Sequence, residues 1–131
     1  MIDYTGLKFQ GAILRKLKKP LFISSELTIP VLKRGQVLVK LAYSGICKSQ
    51  LMEIQGKRGE DKYLPHLLGH EGSGVVVAVG PGVKKVKPKN RIVLTWIKSK
   101  GIDADTPTFQ DTCCGNINAG KVTTFNEFAV I

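Results

Sequence analysis

The chain has 131 residues, of which 43% are hydrophobic and 7% aromatic, enough for one domain with a single core but too few for two. No apolar run reaches the roughly 18 residues of a membrane-spanning helix, so we expect a soluble protein with no membrane partner. The net charge of +10 raises nucleic acid as a partner, but the basic residues are scattered without interleaved aromatics, which favours a solvated basic face instead.

The N-terminal residues and the cysteines indicate a reducing compartment. An acid, Asp3, stands where a secretory signal carries its positive charges, and no apolar segment follows it. The three cysteines, Cys47, Cys113 and Cys114, are an odd number, and a neighbouring pair does not suit an ordinary disulfide framework. We therefore expect reduced thiols and a cytoplasmic protein.

Short apolar segments separated by turns predict a mainly β chain. In chain order, strands are predicted over residues 8–15, 21–30, 37–44, 75–79, 91–97 and 123–131. One short helix is predicted over residues 49–55, and residues 98–120, which lack periodicity, are predicted to form an irregular lobe. Several short strands with turns between them favour a β-barrel or a sandwich. Because the sequence ends on an apolar residue inside a predicted strand, we expect the chain to be a truncated piece of a longer protein.

Two residues stand out as candidate metal ligands, Cys47 and His70. Cys47 lies at the predicted strand-to-helix junction, where the free N–H groups of the first helical turn lower the pKa of a thiol and favour the thiolate. His70 lies between Gly69 and Glu71, and ligating imidazoles are usually oriented by a nearby carboxylate. A catalytic zinc site uses three protein ligands, commonly Cys and His. Each residue also has a plain structural interpretation, the cysteine as a small buried hydrophobe and the histidine as a core residue.

A family resemblance strengthens the metal interpretation. Residues 69–76, Gly-His-Glu-Gly-Ser-Gly-Val-Val, followed by residues 79–83, Val-Gly-Pro-Gly-Val, resemble the signature of the zinc-containing medium-chain alcohol dehydrogenases, in their N-terminal GroES-like catalytic domain. Residues 45–49, Gly-Ile-Cys-Lys-Ser, resemble the first ligand segment of the same family. The resemblance implies a mainly β fold with short helices, arranged as a GroES-like, partly open β-barrel over residues 1–131.

The resemblance also implies roles for individual residues. Cys47 and His70 would be two ligands of a catalytic zinc, Ser49 the hydroxyl that takes the alcohol proton into a relay, and Glu71 the carboxylate behind the zinc. Trp96 would form an aromatic wall of the substrate pocket, although a core tryptophan is an equal alternative. The family oxidises a small-molecule alcohol to an aldehyde or ketone, with zinc as Lewis acid and hydride transfer to NAD or NADP.

The chain departs from the family pattern in ways that carry their own expectations. The third zinc ligand and the Rossmann domain that binds NAD or NADP would lie beyond Ile131, so the isolated chain is expected to bind zinc weakly and to be inactive. Where many relatives have an aspartate that orients the zinc-bound histidine, this chain has Gln50, whose neutral amide makes the imidazole less basic. With only Cys113 and Cys114 in the irregular lobe, we expect no structural zinc.

Two other functions compete with a zinc-dependent dehydrogenase. One is a GroES-like binding or assembly module without chemistry, and the other is a zinc-free relative of the quinone-reductase type. Cys47, Ser49 and His70 together argue against both, because neither needs all three. The resemblance further implies that the full-length protein is a homo-oligomer.

Overall fold

The computed structural model describes residues 2–131, and these form nine strands and one helix. The strands are β1 (Lys8–Leu14), β2 (Phe22–Thr28), β3 (Val37–Ser44), β4 (His66–Leu67), β5 (Glu71–Val79), β6 (Arg91–Thr95), β7 (Thr108–Asp111), β8 (Gly115–Asn118) and β9 (Phe128–Val130). The helix is α1 (Lys48–Ile54), between β3 and β4. In this part of the chain, no helix has the length and apolar character needed to cross a membrane.

Five strands close into a small barrel in the order β1, β2, β7, β8, β4. Closure is completed by β4, which pairs antiparallel with β1 and parallel with β8. The interior of the barrel is filled by large apolar side chains that are buried almost completely, among them Phe9, Ile13, Leu27, Phe109 and Ile117. The rings of Phe9 and Phe109 meet edge to face with centroids 5.4 Å apart, a favourable aromatic geometry. The barrel is therefore a packed core without a channel.

The remaining four strands form a second sheet in the order β6, β5, β3, β9. The pair β3 and β5 runs antiparallel along the whole of β3, from Val37 opposite Val79 to Ser44 opposite Gly72. Val39 and Val76 are buried on the inner face of this pair. Because the strands are antiparallel, the end of β3 lies beside the start of β5. This register brings the segments that carry Cys47 and His70 to the same edge of the sheet.

The structure confirms the predicted fold class, a mainly β chain with one short helix. The strand predicted over residues 37–44 has the bounds of β3, and the predicted helix is displaced from α1 by a single residue at each end. The last strand is shorter than predicted, because only Phe128–Val130 pair in it. Thr124 and Phe125 instead donate their backbone N–H groups to the carbonyl of Leu68.

The irregular lobe predicted over residues 98–120 is wrong in its second half, where β7 and β8 form a hairpin. Each strand has only four residues, and the buried pattern of β7 rests on Phe109 and Asp111. In β8 the single buried residue is Ile117. Runs this short show too few alternations for a period of two to be recognised.

Candidate metal and catalytic site

Two chain junctions at one edge of the second sheet position the candidate ligands. β3 ends at Ser44, and Cys47 is the N-cap residue of α1 in an extended conformation. In the connection between β4 and β5, Gly69 has a φ of +95°, and His70 directly precedes β5. Both candidate ligands are half-buried, so each is held by the fold and still reaches the surface.

The side chain of Gln50 connects these two junctions. Its Oε1 atom accepts the backbone N–H of Cys47 at 3.0 Å, and its Nε2 atom lies 2.8 Å from Nδ1 of His70. Gln50 is 6% exposed, so both contacts are shielded from water. Since Oε1 is committed to an N–H donor, Nε2 faces His70 as a donor and Nδ1 must accept. Neutral His70 then carries its proton on Nε2, the nitrogen that Gln50 leaves free.

The thiol of Cys47 is shifted toward its ionised form. A hydrogen bond from the side chain of Ser49 lowers the pKa of Cys47, the backbone N–H groups of Ser49 and Lys48 act in the same direction, and partial burial and the charge of Glu71 oppose them. The lowered pKa expected at the start of a helix is thus confirmed, with the Ser49 hydroxyl as its first cause. A thiolate is the form of cysteine that binds metal.

Glu71 lies on the Cys47 side of the site. A β-carbon placed on Gly45 would lie 2.6 Å from Oε1 of Glu71, so the carboxylate covers the glycine that precedes Ile46 and Cys47. The backbone carbonyl of Glu71 accepts the N–H of Gly45 at 2.9 Å, which ties the two junctions together. The side chain that holds the His70 ring is therefore Gln50, while Glu71 contributes negative charge near the thiol.

Trp96 follows β6 and is 68% exposed. Its alternative interpretation as a core tryptophan is wrong. The place of Trp96 in a substrate pocket stays a prediction.

An open groove of about 1060 Å³ borders the site next to His70. It is lined by His70, Gln50, His66 and Asp61, among others.

His66, the other histidine, is engaged at both ring nitrogens. Nε2 lies 2.6 Å from Oδ2 of Asp61, and Nδ1 lies 2.8 Å from the carbonyl oxygen of Leu67. Both nitrogens face oxygen atoms of the protein, so a metal could reach either one only by displacing one of these contacts. His66 is therefore a poor substitute for a missing ligand.

The donor set at Cys47 and His70 fits zinc in kind, because a thiolate and an imidazole are two of its usual ligands. Within residues 2–131, however, no cluster of three His, Cys, Asp or Glu ligand atoms within 4.8 Å of one another includes this pair. The proton that Gln50 directs to Nε2 of His70 also opposes ligation through that nitrogen. These residues therefore fit two of the three protein ligands of a catalytic zinc site.

Sequence reasoning missed the part that Thr124 plays. Thr124 is 2% exposed, its Oγ1 atom lies 2.8 Å from Oγ of Ser44, and it donates to the carbonyl of Glu71 at 3.1 Å. It therefore connects the ends of β3 and β5 from a third segment. Nothing in the residues around Thr124 indicates that it joins β3 to β5, because both of its partners are far away in sequence.

Replacing Gly69 with alanine is expected to destabilise the protein by about 2 kcal/mol or more, because a positive φ is strained for any residue with a β-carbon. The added carbon would also collide with Oγ1 of Thr124 and lie 2.9 Å from the backbone nitrogen of that residue. Urea unfolding measures the loss. Gly120→Ala is the control, since its β-carbon meets no atom within 4 Å. Equal stability of the two variants would contradict the steric argument.

Comparison with known proteins places the chain in a family. The family model of the alcohol dehydrogenase GroES-like domain matches residues 33–131. An alcohol dehydrogenase of Geobacillus stearothermophilus is 35% identical over 113 residues, which are 85% of this chain and 33% of that protein. An S-(hydroxymethyl)glutathione dehydrogenase of Paracoccus denitrificans is 38% identical over 87 residues, 66% of this chain and 23% of that protein. The chain thus spans a third or less of the length of these relatives.

Solved structures agree with the sequence relatives. The crystal structure of an alcohol dehydrogenase zinc-binding domain protein from Burkholderia ambifaria superposes with a TM-score of 0.80 and 25% identity, covering 94% of this chain and 39% of that chain. Benzyl alcohol dehydrogenase from Acinetobacter calcoaceticus shares the fold with a TM-score of 0.69 and 21% identity, over 94% of this chain and 38% of its own. With its closed barrel, second sheet and single short helix, the chain belongs to the alcohol dehydrogenase GroES-like domain family.

Proposed function

We propose that these 131 residues are the N-terminal catalytic domain of a zinc-dependent alcohol dehydrogenase, which oxidises a small-molecule alcohol to an aldehyde or ketone and passes hydride to NAD or NADP. The observation that supports the proposal best is the hydrogen-bonded connection from the backbone of Cys47 through Gln50 to His70. It connects the two segments that carry a thiol and an imidazole at one edge of the sheet, and a metal bound by both residues would need these segments to lie together. A further domain would supply the third ligand and the nucleotide site.

In this mechanism the chain binds, orients and moves a proton. Zinc, when bound, supplies a Lewis acid, and the nicotinamide supplies the hydride acceptor. Cys47 and His70 would hold the ion, with Gln50 as the positioning residue for the imidazole. Ser49 is half-buried, and its Oγ lies 3.2 Å from Nε2 of Gln50. A hydroxyl both accepts and donates, so Ser49 would take the alcohol proton and pass its own to solvent.

The first test is zinc content and alcohol oxidation of the full-length protein. We expect about one tightly held zinc per subunit and reduction of NAD or NADP by an alcohol, both lost together on chelation and restored by zinc. Activity that persists without any zinc would make the protein a zinc-free reductase. A folded full-length protein with neither zinc nor turnover would make it a binding module. The 131-residue chain alone is expected to be inactive and to hold less than stoichiometric zinc.

A further inference from the structure

The turn between β7 and β8 brings a second set of metal-ligating atoms together. The ligand atoms of Asp111, Cys113 and Cys114 all lie within 4.8 Å of one another, the one such cluster in the part of the chain that the structure describes. We call these three residues the dithiol turn. It lies in the barrel, whereas Cys47 and His70 lie at the edge of the second sheet. It is therefore separate from the candidate catalytic site.

Asp111 is a fixed member of this cluster. It is 3% exposed, its Oδ1 atom accepts the backbone N–H groups of Cys113 at 2.8 Å and Cys114 at 3.0 Å, and its Oδ2 atom accepts the hydroxyl of Ser24. Burial alone would raise the pKa of Asp111, but these hydrogen bonds lower it below the usual value. A carboxylate has about four lone-pair sites. Three accept these donors, and the carboxylate also accepts a hydrogen bond from the Cys114 thiol, so that fourth site becomes available to a cation once the thiol loses its proton.

The two sulfurs lie side by side and reach the surface. Cys113 is exposed and Cys114 is half-buried. A hydrogen bond with the Cys113 thiol raises the pKa of Cys114, partial burial and the charges of Cys113 and Asp111 add to this effect, and Arg15 opposes it. The guanidinium of Arg15 is itself held over the ring of Phe22, 4.5 Å from the centroid. Two adjacent sulfurs with a carboxylate beside them form a set of ligand atoms that can chelate one metal ion.

We propose that the dithiol turn binds one thiophilic divalent cation through the sulfurs of Cys113 and Cys114 and the carboxylate of Asp111, with the remaining position open to solvent. In a tetrahedral site with metal–sulfur bonds of about 2.3 Å, the two sulfurs lie about 3.8 Å apart. Because the ligand atoms lie within 4.8 Å of one another, the two sulfurs need to approach by no more than about 1 Å to reach that separation. Binding releases the thiol protons to solvent and involves no oxidation. With two sulfurs instead of four cysteines, the ion exchanges readily and the fold does not depend on it.

Titration of the 131-residue chain with Cd²⁺ tests the proposal, in its Cys47→Ser form so that Cys113 and Cys114 are the remaining cysteines. We expect one equivalent of Cd²⁺ to bind at pH 8 with a thiolate-to-cadmium absorption band. Adding Cys113→Ser or Cys114→Ser should weaken Cd²⁺ binding at least about tenfold, which is the lower end of the loss of affinity that substitutions around a bound metal usually cause. Each should also reduce the absorption band. Thr112→Ala is the matched control in the same turn and should bind as its parent does. Absence of the band, or a band that both serine variants retain, overturns the proposal.

The carboxylate is tested separately, since Asp111 also holds the turn. In the Cys47→Ser protein, Asp111→Asn is expected to weaken Cd²⁺ binding at least about tenfold, with folding checked by circular dichroism. If that variant does not fold, Cd²⁺ should shift a carboxylate infrared band in the parent and not in its Cys113→Ser form. Full affinity in folded Asp111→Asn protein, or an unshifted band, overturns the three-ligand site.

Discussion

Replacing Cys47 or His70 with alanine is expected to remove zinc from the full-length protein and to lower kcat/KM for alcohol oxidation about a thousandfold or more. Each substitution removes one of two ligands that this chain supplies, and a Lewis acid at an alcohol oxygen stabilises the transition state by several kcal/mol. Each 1.36 kcal/mol corresponds to a factor of ten in rate. Metal analysis and steady-state kinetics on the purified variants measure the two effects.

The matched control for Cys47→Ala is Cys113→Ala, because Cys113 is also a free cysteine but lies in an exposed turn of the barrel. Its zinc content, measured after a weak chelator has stripped exchangeable ions, and its activity should equal those of the unchanged protein. If Cys47→Ala keeps its zinc and its rate while the fold is intact, Cys47 is not a ligand. The same result for His70→Ala would leave the proposed site without either of its donors.

The parts of the fold that the sequence predicts are those whose signals are local. β3 is a run of eight residues, most of them apolar and two of them β-branched, and this composition is enough to predict its bounds. The start of α1 is predicted from the types of a few consecutive residues around Ser49. The sequence does not predict the hairpin of β7 and β8, because its strands have only four residues each and part of the pairing of β7 is with β2, far away in sequence, as where Leu27 faces Asp111. No window of residues 108–118 alone contains that information.

In the candidate site, too, the sequence predicts what depends on local signals and not what depends on tertiary contacts. Residue types and flanking glycines identify Cys47 and His70 as candidate ligands. For Gln50, the sequence predicts only that a neutral amide lies near the histidine. Which end of that amide faces His70 is set by the N–H of Cys47, and hence by how α1 begins. Thr124 joins β3 and β5 from 80 residues beyond Ser44. Both details depend on tertiary register, which a single sequence does not display.

Replacing Gln50 with glutamate is expected to tighten zinc binding by the full-length protein about tenfold to a hundredfold, the usual size of effects from partners of ligating histidines. One carboxylate oxygen can keep the N–H of Cys47, and the other replaces the Nε2 donor that now lies 2.8 Å from Nδ1 of His70. An acceptor at that position moves the imidazole proton to Nδ1 and frees the lone pair of Nε2 for the metal. Competition with a chromogenic chelator at pH 8 measures the affinity.

Gln55→Glu is the matched control, since it makes the same chemical change at the exposed C-cap of the same helix. It adds equal negative charge without touching His70, so a gain confined to Gln50→Glu separates the tautomer effect from general electrostatic attraction. Nitrogen NMR of zinc-free protein supplies an independent readout, with the His70 proton expected on Nε2 in the unchanged protein and on Nδ1 in the variant. Unaltered affinity together with a proton already on Nδ1 before substitution would mean that Gln50 presents its oxygen to His70. In that case the lone pair of Nε2 of His70 would already be available to zinc in the unchanged protein.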